Sequence, residues 1–449
     1  MTEFVKTTVF LACAAALGGL AWMARPADPG RGVIDDTGEQ FAPAFTDPLQ
    51  AFSLEVVEFD EDNGTARVFK VARHEGVWSI PSHENYAADA ENRFADAAAA
   101  MVGLTKGVNR SDSRSDHELY GVNDPTEAQA GTTGVGTRIT FTGETGSLID
   151  LIVGTPVKDS PGHRYVRVPG VDRVYLCSID LDRFSTDFAD WIEKDLLQMS
   201  GSDVTGIVVK DYSIDEFSQR VNQNEPLLLA YDLQERSWSL EGLGDDETLL
   251  DARLREMKRG LDDLKIVDVH RKPAGLSSEL RAEDALQLDA EAVNSLQSRG
   301  FFIVGGRLLS NQGETVVRNS DGVQYVLRFG EIADGGRYLF VTAEFNENLL
   351  ERPEILELPD LQSLGIDDEA TEPAMSASME KARAKLAEEN DAKQQAYQEK
   401  LDAGRDRARE LTDRFADWYY VISDEVYDNV RLTRTDIVEP ADASIPEDG

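Results

Sequence analysis

The stretch Thr137 to Leu197, TRITFTGETGSLIDLIVGTPVKDSPGHRYVRVPGVDRVYLCSIDLDRFSTDFADWIEKDLL, decides the reading of the fold. Arg138 to Thr142 alternates polar and apolar residues, Leu148 to Val153 is mostly apolar, and Arg164 to Val168 and Val171 to Cys177 are rich in Val and Tyr. Gly, Pro and Asp bound each run, which predicts the strands of an antiparallel meander. From Ser185 to Leu197 the period changes. Phe188, Trp191, Ile192 and Leu196 fall at helical spacings, predicting a helix that closes the strands.

Working outward, an internal repeat appears. ARVFKVARHEGVWSI (Ala66 to Ile80) and PLLLAYDLQERSWSL (Pro226 to Leu240) align without gaps, Trp78 against Trp238. Each is followed by a predicted helix, Ala87 to Leu104 and Asp246 to Leu264, the latter with Leu249, Leu250, Leu254, Met257 and Leu261 as an apolar stripe. Later, VQYVLRFG (Val323 to Gly330) and GRYLFV (Gly336 to Val341) echo the strand ending at Gly154 and the strand that follows Gly162. A repeat of this length sets the architecture. The expected fold class is α+β: an N-terminal membrane helix, two tandem antiparallel-sheet-plus-helix modules of similar plan, and a long C-terminal helix. The expected boundaries are a signal anchor over 1–25, a tether over 26–50, modules over 51–212 and 213–355, and an acidic linker over 356–372. A long charged helix over 373–422, a terminal strand segment over 423–438 and a disordered acidic tail over 439–449 follow.

The order of strands, with Gly-His-Arg-Tyr (Gly162 to Tyr165), Asp-Trp-Ile-Glu-Lys-Asp-Leu-Leu (Asp190 to Leu197) and Val-Thr-Gly-Ile-Val-Val (Val204 to Val209), resembles the family catalogued as domain of unknown function 4340, DUF4340. The resemblance covers about Val68 to Tyr212. It implies a membrane-anchored envelope protein, and some members resemble the auxiliary component of gliding-motility-type ABC transporters. It therefore implies a permease and its ATPase as partners, and it brings no catalytic signature.

Composition and the N-terminus narrow the function. The chain has 449 residues, 41% of them hydrophobic, enough for real cores in two or three domains. A net charge of -39 argues against a nucleic-acid groove, because phosphate contacts need clustered Lys and Arg. Thr7 to Met23 is uncharged and apolar, closed by Arg25-Pro26, and Trp22 suits a membrane interface. We expect an uncleaved anchor with the body outside the cytoplasm; cleavage after Gly19-Leu20-Ala21, giving a secreted form, is the alternative. Pro26 to Pro48 reads as the tether. Asp60 to Gly64 reads as a hairpin turn rather than a calcium loop, because its Gly falls one place early for an EF-hand.

The long helix begins at Pro373 and reaches roughly 65 to 70 Å at about 1.5 Å per residue. Its apolar pattern lapses through Glu389 to Lys393, is interrupted by Gly404, and resumes at Ala408, Leu411, Phe415, Trp418 and Ile422. Its end is expected to pack, and its solvated middle offers a coiled-coil route to a homo-oligomer. Phe415-Ala416-Asp417-Trp418 repeats Phe188-Ala189-Asp190-Trp191.

Motifs that carry chemistry are missing. His74-Glu75, His83-Glu84 and His117-Glu118 lack a second His at zincin spacing, and the two cysteines, Cys13 and Cys177, support neither zinc nor a disulfide. Gly131 to Gly136 precedes a strand instead of opening a helix, so it is no dinucleotide fingerprint. With 84 Asp and Glu, no carboxylate pair stands out. We expect no catalytic, cofactor-binding or metal-ligating residues and no cofactor. The protein is read as a non-catalytic component of a membrane complex, with a free-standing envelope scaffold or ligand binder as the alternative and a hydrolase using an unrecognised carboxylate pair as the third reading. The binding surface is expected on the loops Thr155 to His163 and Glu331 to Arg337, and the long stretch Ala274 to Arg318 is a further location for one.

Overall fold

The computed structural model describes residues 35–441 except 159, 194, 216–219, 263, 283–287, 334 and 358–372. The expected anchor, most of the tether and linker, and the last eight tail residues lie outside the described residues. Among the described residues no helix is long and apolar enough to cross a membrane.

The fold is mixed α+β, built on two large antiparallel sheets. The chain divides into two compact units, residues 1–70 with 92–185 and residues 71–91 with 186–449. Along the first part run β1 (Ala51–Asp60), β2 (Thr65–His74), β3 (Val77–Ile80), β4 (Tyr86–Ala87), α1 (Glu91–Met101), β5 (Val108–Ser111) and α2 (His117–Tyr120). The meander follows as β6 (Thr137–Gly143), β7 (Gly146–Pro156), β8 (His163–Arg167) and β9 (Val174–Ser178). The strand order is β4-β3-β2-β1-β6-β7-β8-β9-β5. Phe141 of β6 anchors the core of the first unit, with Phe45, Phe94 and Phe184 at ring distances of 6.1, 5.6 and 6.3 Å.

The second unit contains β10 (Val204–Lys210), β11 (Tyr212–Asp215), β12 (Arg220–Gln223), β13 (Leu227–Asp232), β14 (Ser237–Leu240), β15 (Glu247–Leu249), α3 (Asp251–Asp262) and β16 (Ile266–Arg271). Helices α4 (Ala274–Ala282) and α5 (Ala290–Gln297) come next, then the hairpin β17 (Phe301–Val304) and β18 (Arg307–Ser310). β19 (Glu314–Asn319), β20 (Val323–Ala333), β21 (Gly336–Phe345), the long α6 (Pro373–Ala416) and β22 (Trp418–Ile422) lead to α7 (Asp424–Val430), α8 (Arg434–Ile437) and β23 (Val438–Pro440). Its large sheet runs β14-β13-β10-β19-β20-β21-β22-β16. With β4 set aside, the two sheets have the same order. β1 corresponds to β10, β2 and β3 to β13 and β14, β6 to β9 to β19 to β22, and β5 to β16.

The correspondence reaches individual atoms. Arg164 Nη1 donates to the Gly154 carbonyl at 3.0 Å, and Arg337 Nη1 donates to the Gly330 carbonyl at 2.9 Å. A Cβ on Gly154 would lie 2.3 Å from the Tyr120 carbonyl oxygen, and one on Gly330 would lie 2.1 Å from that of Arg299. Both glycines are therefore required by the close approach of another backbone segment.

Several expected elements differ. Ser185 to Leu197 is no α-helix but a single 3-10 turn, Phe188–Trp191, followed by irregular chain. Asp187 accepts from Ala189 N and Asp195 from Gln198 N, so local side-chain bonds compete with helix propagation, while Phe188, Trp191 and Leu196 are buried as their spacing implied. Val204 to Lys210 pairs with β13 and β19, so the expected boundary at 212/213 falls inside the second unit. Part of the expected tether is packed: Phe45 is buried, and Asp36 is held by Lys106 at 2.9 Å, Arg173 at 3.1 Å and Tyr175 Oη at 2.6 Å. Burial works against that carboxylate, yet these donors pull its pKa down to about 2.

The long helix ends at Ala416, short of the expected 422, because Trp418 to Ile422 is an aromatic and β-branched run inserted between β21 and β16. Lys272 closes the helix end. Its fully buried ammonium donates to the Phe415 carbonyl at 2.9 Å and sits 3.7 Å from the Phe340 ring centroid, and burial pushes its pKa well down. Gly404 does not interrupt the helix. A Cβ there would meet the Phe345 ring at 2.4 Å, so the glycine lets α6 approach β21 closely. The expected terminal strand segment, 423–438, is mainly the two helices α7 and α8, and Glu439 and Pro440 of the expected tail pair with Thr248 and Glu247.

Candidate functional site: an arginine-lined cleft

Strand periodicity builds this site. Side chains two apart share a face, so Val208 and Lys210 on β10, Glu314, Val316 and Arg318 on β19, and Gln324, Val326 and Arg328 on β20 converge on one side of the second sheet. Val208, Val316 and Val326 pack together as an apolar floor. The last turns of α6 supply Arg405, Ala408, Arg409 and Thr412, and the β17–β18 hairpin supplies Arg307 and Leu308. These elements enclose a cleft of about 930 Å³, within the range of small-molecule sites.

One corner is already neutralised. Glu314, 3% exposed, is bonded by Lys210 Nζ at 2.6 Å, Arg328 Nε at 3.2 Å and the Tyr212 hydroxyl at 3.1 Å. Burial raises its pKa, but Arg328 and Lys210 outweigh that and hold it below the usual range. Arg328 also donates to the Leu308 carbonyl, which pins the hairpin at the rim.

Arg318 is different. It is half-buried, its guanidinium makes no ion pair or hydrogen bond among the described residues, and its Nε is buried without a partner. Arg405 and Arg409 pair within the helix, with Asp402 at 3.3 Å and Asp406 at 3.0 Å, and Arg405 also lies 3.9 Å from Glu347 and 5.5 Å from the Phe345 ring centroid. Surface pairs of this kind are weak. In a chain of net charge -39, the cleft thus gathers guanidinium groups short of acceptors. Six Lys and Arg side chains line it against three acids, Glu279, Glu314 and Glu344, so its charge suits an anion.

The expected binding loops lie elsewhere. Thr155 to His163 is a turn tied by its own bonds, Val157 N to the His163 carbonyl and His163 N to that of Ser160, while Glu331 to Arg337 tightens into a hairpin in which Ala333 pairs with Gly336. Neither loop lines the cleft. The stretch Ala274 to Arg318 does contribute, through Leu280, Arg307, Leu308, Glu314 and Arg318.

The histidines of the His-Glu dipeptides are scattered as well. His74 is exposed, His117 is buried with Nε2 2.8 Å from the Asp172 carbonyl, and His83 stacks on Phe188 and lies 3.6 Å from Asp268. No group of His, Cys, Asp or Glu among the described residues is placed to hold a metal. Cys177 is buried in β9, and burial pushes its thiol up to about 11. Trp78 and Trp238 are half-buried on the corresponding hairpins, opposite Arg73 and Tyr231.

Residues 78–281 match the model of the family described as Domain of unknown function (DUF4340), the family that the sequence resembles. The match runs from Trp78 in β3 into α4, later at both ends than the expected span, so Lys210 and Leu280 lie within it while Arg318, Arg405 and Arg409 lie beyond it. No curated protein and no solved structure is similar enough to the chain to count as a match.

Proposed function

We propose that the protein works by binding rather than catalysis, as an anchored extracytoplasmic component of a membrane assembly, with the cleft of the second unit as its anion-binding site. The two sheets are two copies of one module. Their common strand order and the paired Arg-to-Gly carbonyl bonds support that reading. Export and anchoring rest on the apolar run Thr7 to Met23, and association with a permease and ATPase rests on the family resemblance.

The observation that carries the binding function is Arg318, a half-buried guanidinium with no partner among the described residues, beside an apolar floor. An unpaired buried donor costs stability, and an anion removes that cost. Thermal melting of the full-length protein in a panel of carboxylates and phosphates tests it. A rise in melting temperature that Arg318→Gln abolishes supports the reading, and an unchanged melting temperature across the panel overturns it. Recovery of the protein alone from mild-detergent membranes would count against the assembly. The long exposed face of α6 between Glu380 and Lys400 favours a second role for that helix in self-association, tested by light scattering of the full chain.

A further inference from the structure

This inference rests on the anion-binding reading of the cleft and names the ligand class. We propose that the cleft takes an amphipathic anion: a carboxylate or phosphate head among Arg318, Arg405 and Arg409, and an aliphatic chain along Val208, Val316 and Val326.

The floor selects against a peptide. β10, β19 and β20 are each paired on both sides, so their backbone groups are spent in ladders, and what faces the cleft between the charged ends is methyl groups. A peptide backbone laid there would shed its water with no partner in exchange, whereas an aliphatic chain sheds nothing and gains from burial. Leu280, Leu308 and Ala408 carry the apolar surface up the walls.

The head group follows from what the walls lack. Glu314 is already shared by Lys210, Arg328 and Tyr212, and Glu344 accepts from Gln324 at 3.2 Å. Among the described residues none of the lining acids, Glu279, Glu314 and Glu344, is paired with Arg318, and the six Lys and Arg of the lining outnumber them. A planar guanidinium with a free edge is met best by a bidentate oxyanion, which carboxylate and phosphate both provide.

The test is isothermal titration of the full-length protein in zwitterionic lipid nanodiscs, with empty discs subtracted, against decanoate, decyl phosphate, acetate, inorganic phosphate and decyltrimethylammonium. Burying roughly four methylenes makes the long-chain anions about a hundredfold tighter than their short counterparts. The cationic amphiphile is expected not to bind. Arg409→Ala, on an exposed helix face, and Arg318→Gln should each weaken decanoate by about tenfold, and Val326→Thr should lower the gain from chain length. A photoreactive fatty acid should crosslink within β19, β20 or the last turns of α6.

Equal affinity for acetate and decanoate would overturn the amphipathic ligand while leaving an anion site in place. No binding of any anion would overturn both readings. Binding of the cationic amphiphile equal to that of decanoate, or crosslinks confined to other segments, would show partition into apolar surface and overturn the proposal. Preference for decyl phosphate over decanoate would assign the head to a phosphate, and the reverse to a carboxylate; either supports it.

Discussion

Corresponding faces of the two sheets have opposite polarity. In the first, Arg138 and Asp150 face each other with bonds of 3.0 and 2.7 Å, Thr140 adds a bond to the same carboxylate, and Asp124 holds the remaining arginine nitrogen at 3.2 Å. With Gly154 set against Gly330, the matching places in the second sheet are Glu314 for Arg138, Val316 for Thr140, Arg318 for Thr142, Val326 for Asp150 and Arg328 for Ile152. The first face satisfies itself. In the second, a valine stands where the acid would be, and an arginine stands two residues along with no acceptor. One scaffold has thus produced a closed polar face and an open amphipathic one by changes at a few inward positions.

The connections differ in the same direction. β8 and β9 are joined by the short turn after Arg167, whereas β21 and β22 are separated by the whole of α6. That long connection lays a helical wall over the face of the second sheet that carries Arg318.

The largest expected effect tests the equivalence itself. Gly154→Ala and Gly330→Ala should each cost more than about 3 kcal/mol in denaturant unfolding, because each places a Cβ within 2.3 Å of a carbonyl oxygen. If one is tolerated, the two strand pairs are not alike. The second prediction concerns Asp36, which belongs to the first unit alone. Its folded pKa of about 2 lies below that of an unfolded Asp, so its contribution is fully present above about pH 4 and is lost as the pH falls toward 2. Asp36→Asn should remove about 2 kcal/mol at neutral pH and flatten that acid limb.

Next in size, Asp150→Val writes the second face's residue into the first. It leaves Arg138, at about 25% exposure, with Asp124 as its one acid, and should cost about 1 to 2 kcal/mol. The reverse exchange, Val326→Asp, should leave stability within about 1 kcal/mol while abolishing anion binding, since the new carboxylate competes for Arg318. The smallest effect is at Arg409, whose side chain is 68% exposed: Arg409→Ala should change stability by less than about 0.5 kcal/mol and register only in ligand titrations.

Much of the scaffold was legible in the sequence. The aligned Trp-Ser hairpins and the Gly154 and Gly330 strands appear as their patterns imply, and of the expected stripe Leu254, Met257 and Leu261 are buried on α3 while Leu249 belongs to β15 and Leu250 precedes the helix. Patterning failed where helix and strand preferences meet short segments. Phe188 to Leu196 has helical spacing but is held by aspartate turns, and Trp418 to Ile422 continues the spacing of α6 while belonging to a sheet. The cleft was missed for another reason. ETVVRN and YVLRFG each show an arginine two places beyond a valine, a signal that has meaning only once the strands are adjacent and the acid opposite is known to be missing. The α6 arginines could be linked to them only through the fold.

The way α6 is rooted has a mechanical consequence. Its last turns run into β22, which is clamped by ladders to β21 on one side and β16 on the other, and Gly404 presses the shaft against Phe345 at the end of β21. Farther out the shaft is mostly exposed from Glu380 to Lys400, but Asn390 is buried, its side chain bonded to both the N–H and the carbonyl of Leu356, and Lys393 donates to the Glu354 carbonyl. Arg405 and Arg409 ride on the same continuous helix as that outer arm, so a displacement of the arm would reach them through a shaft braced at Asn390 and at Gly404.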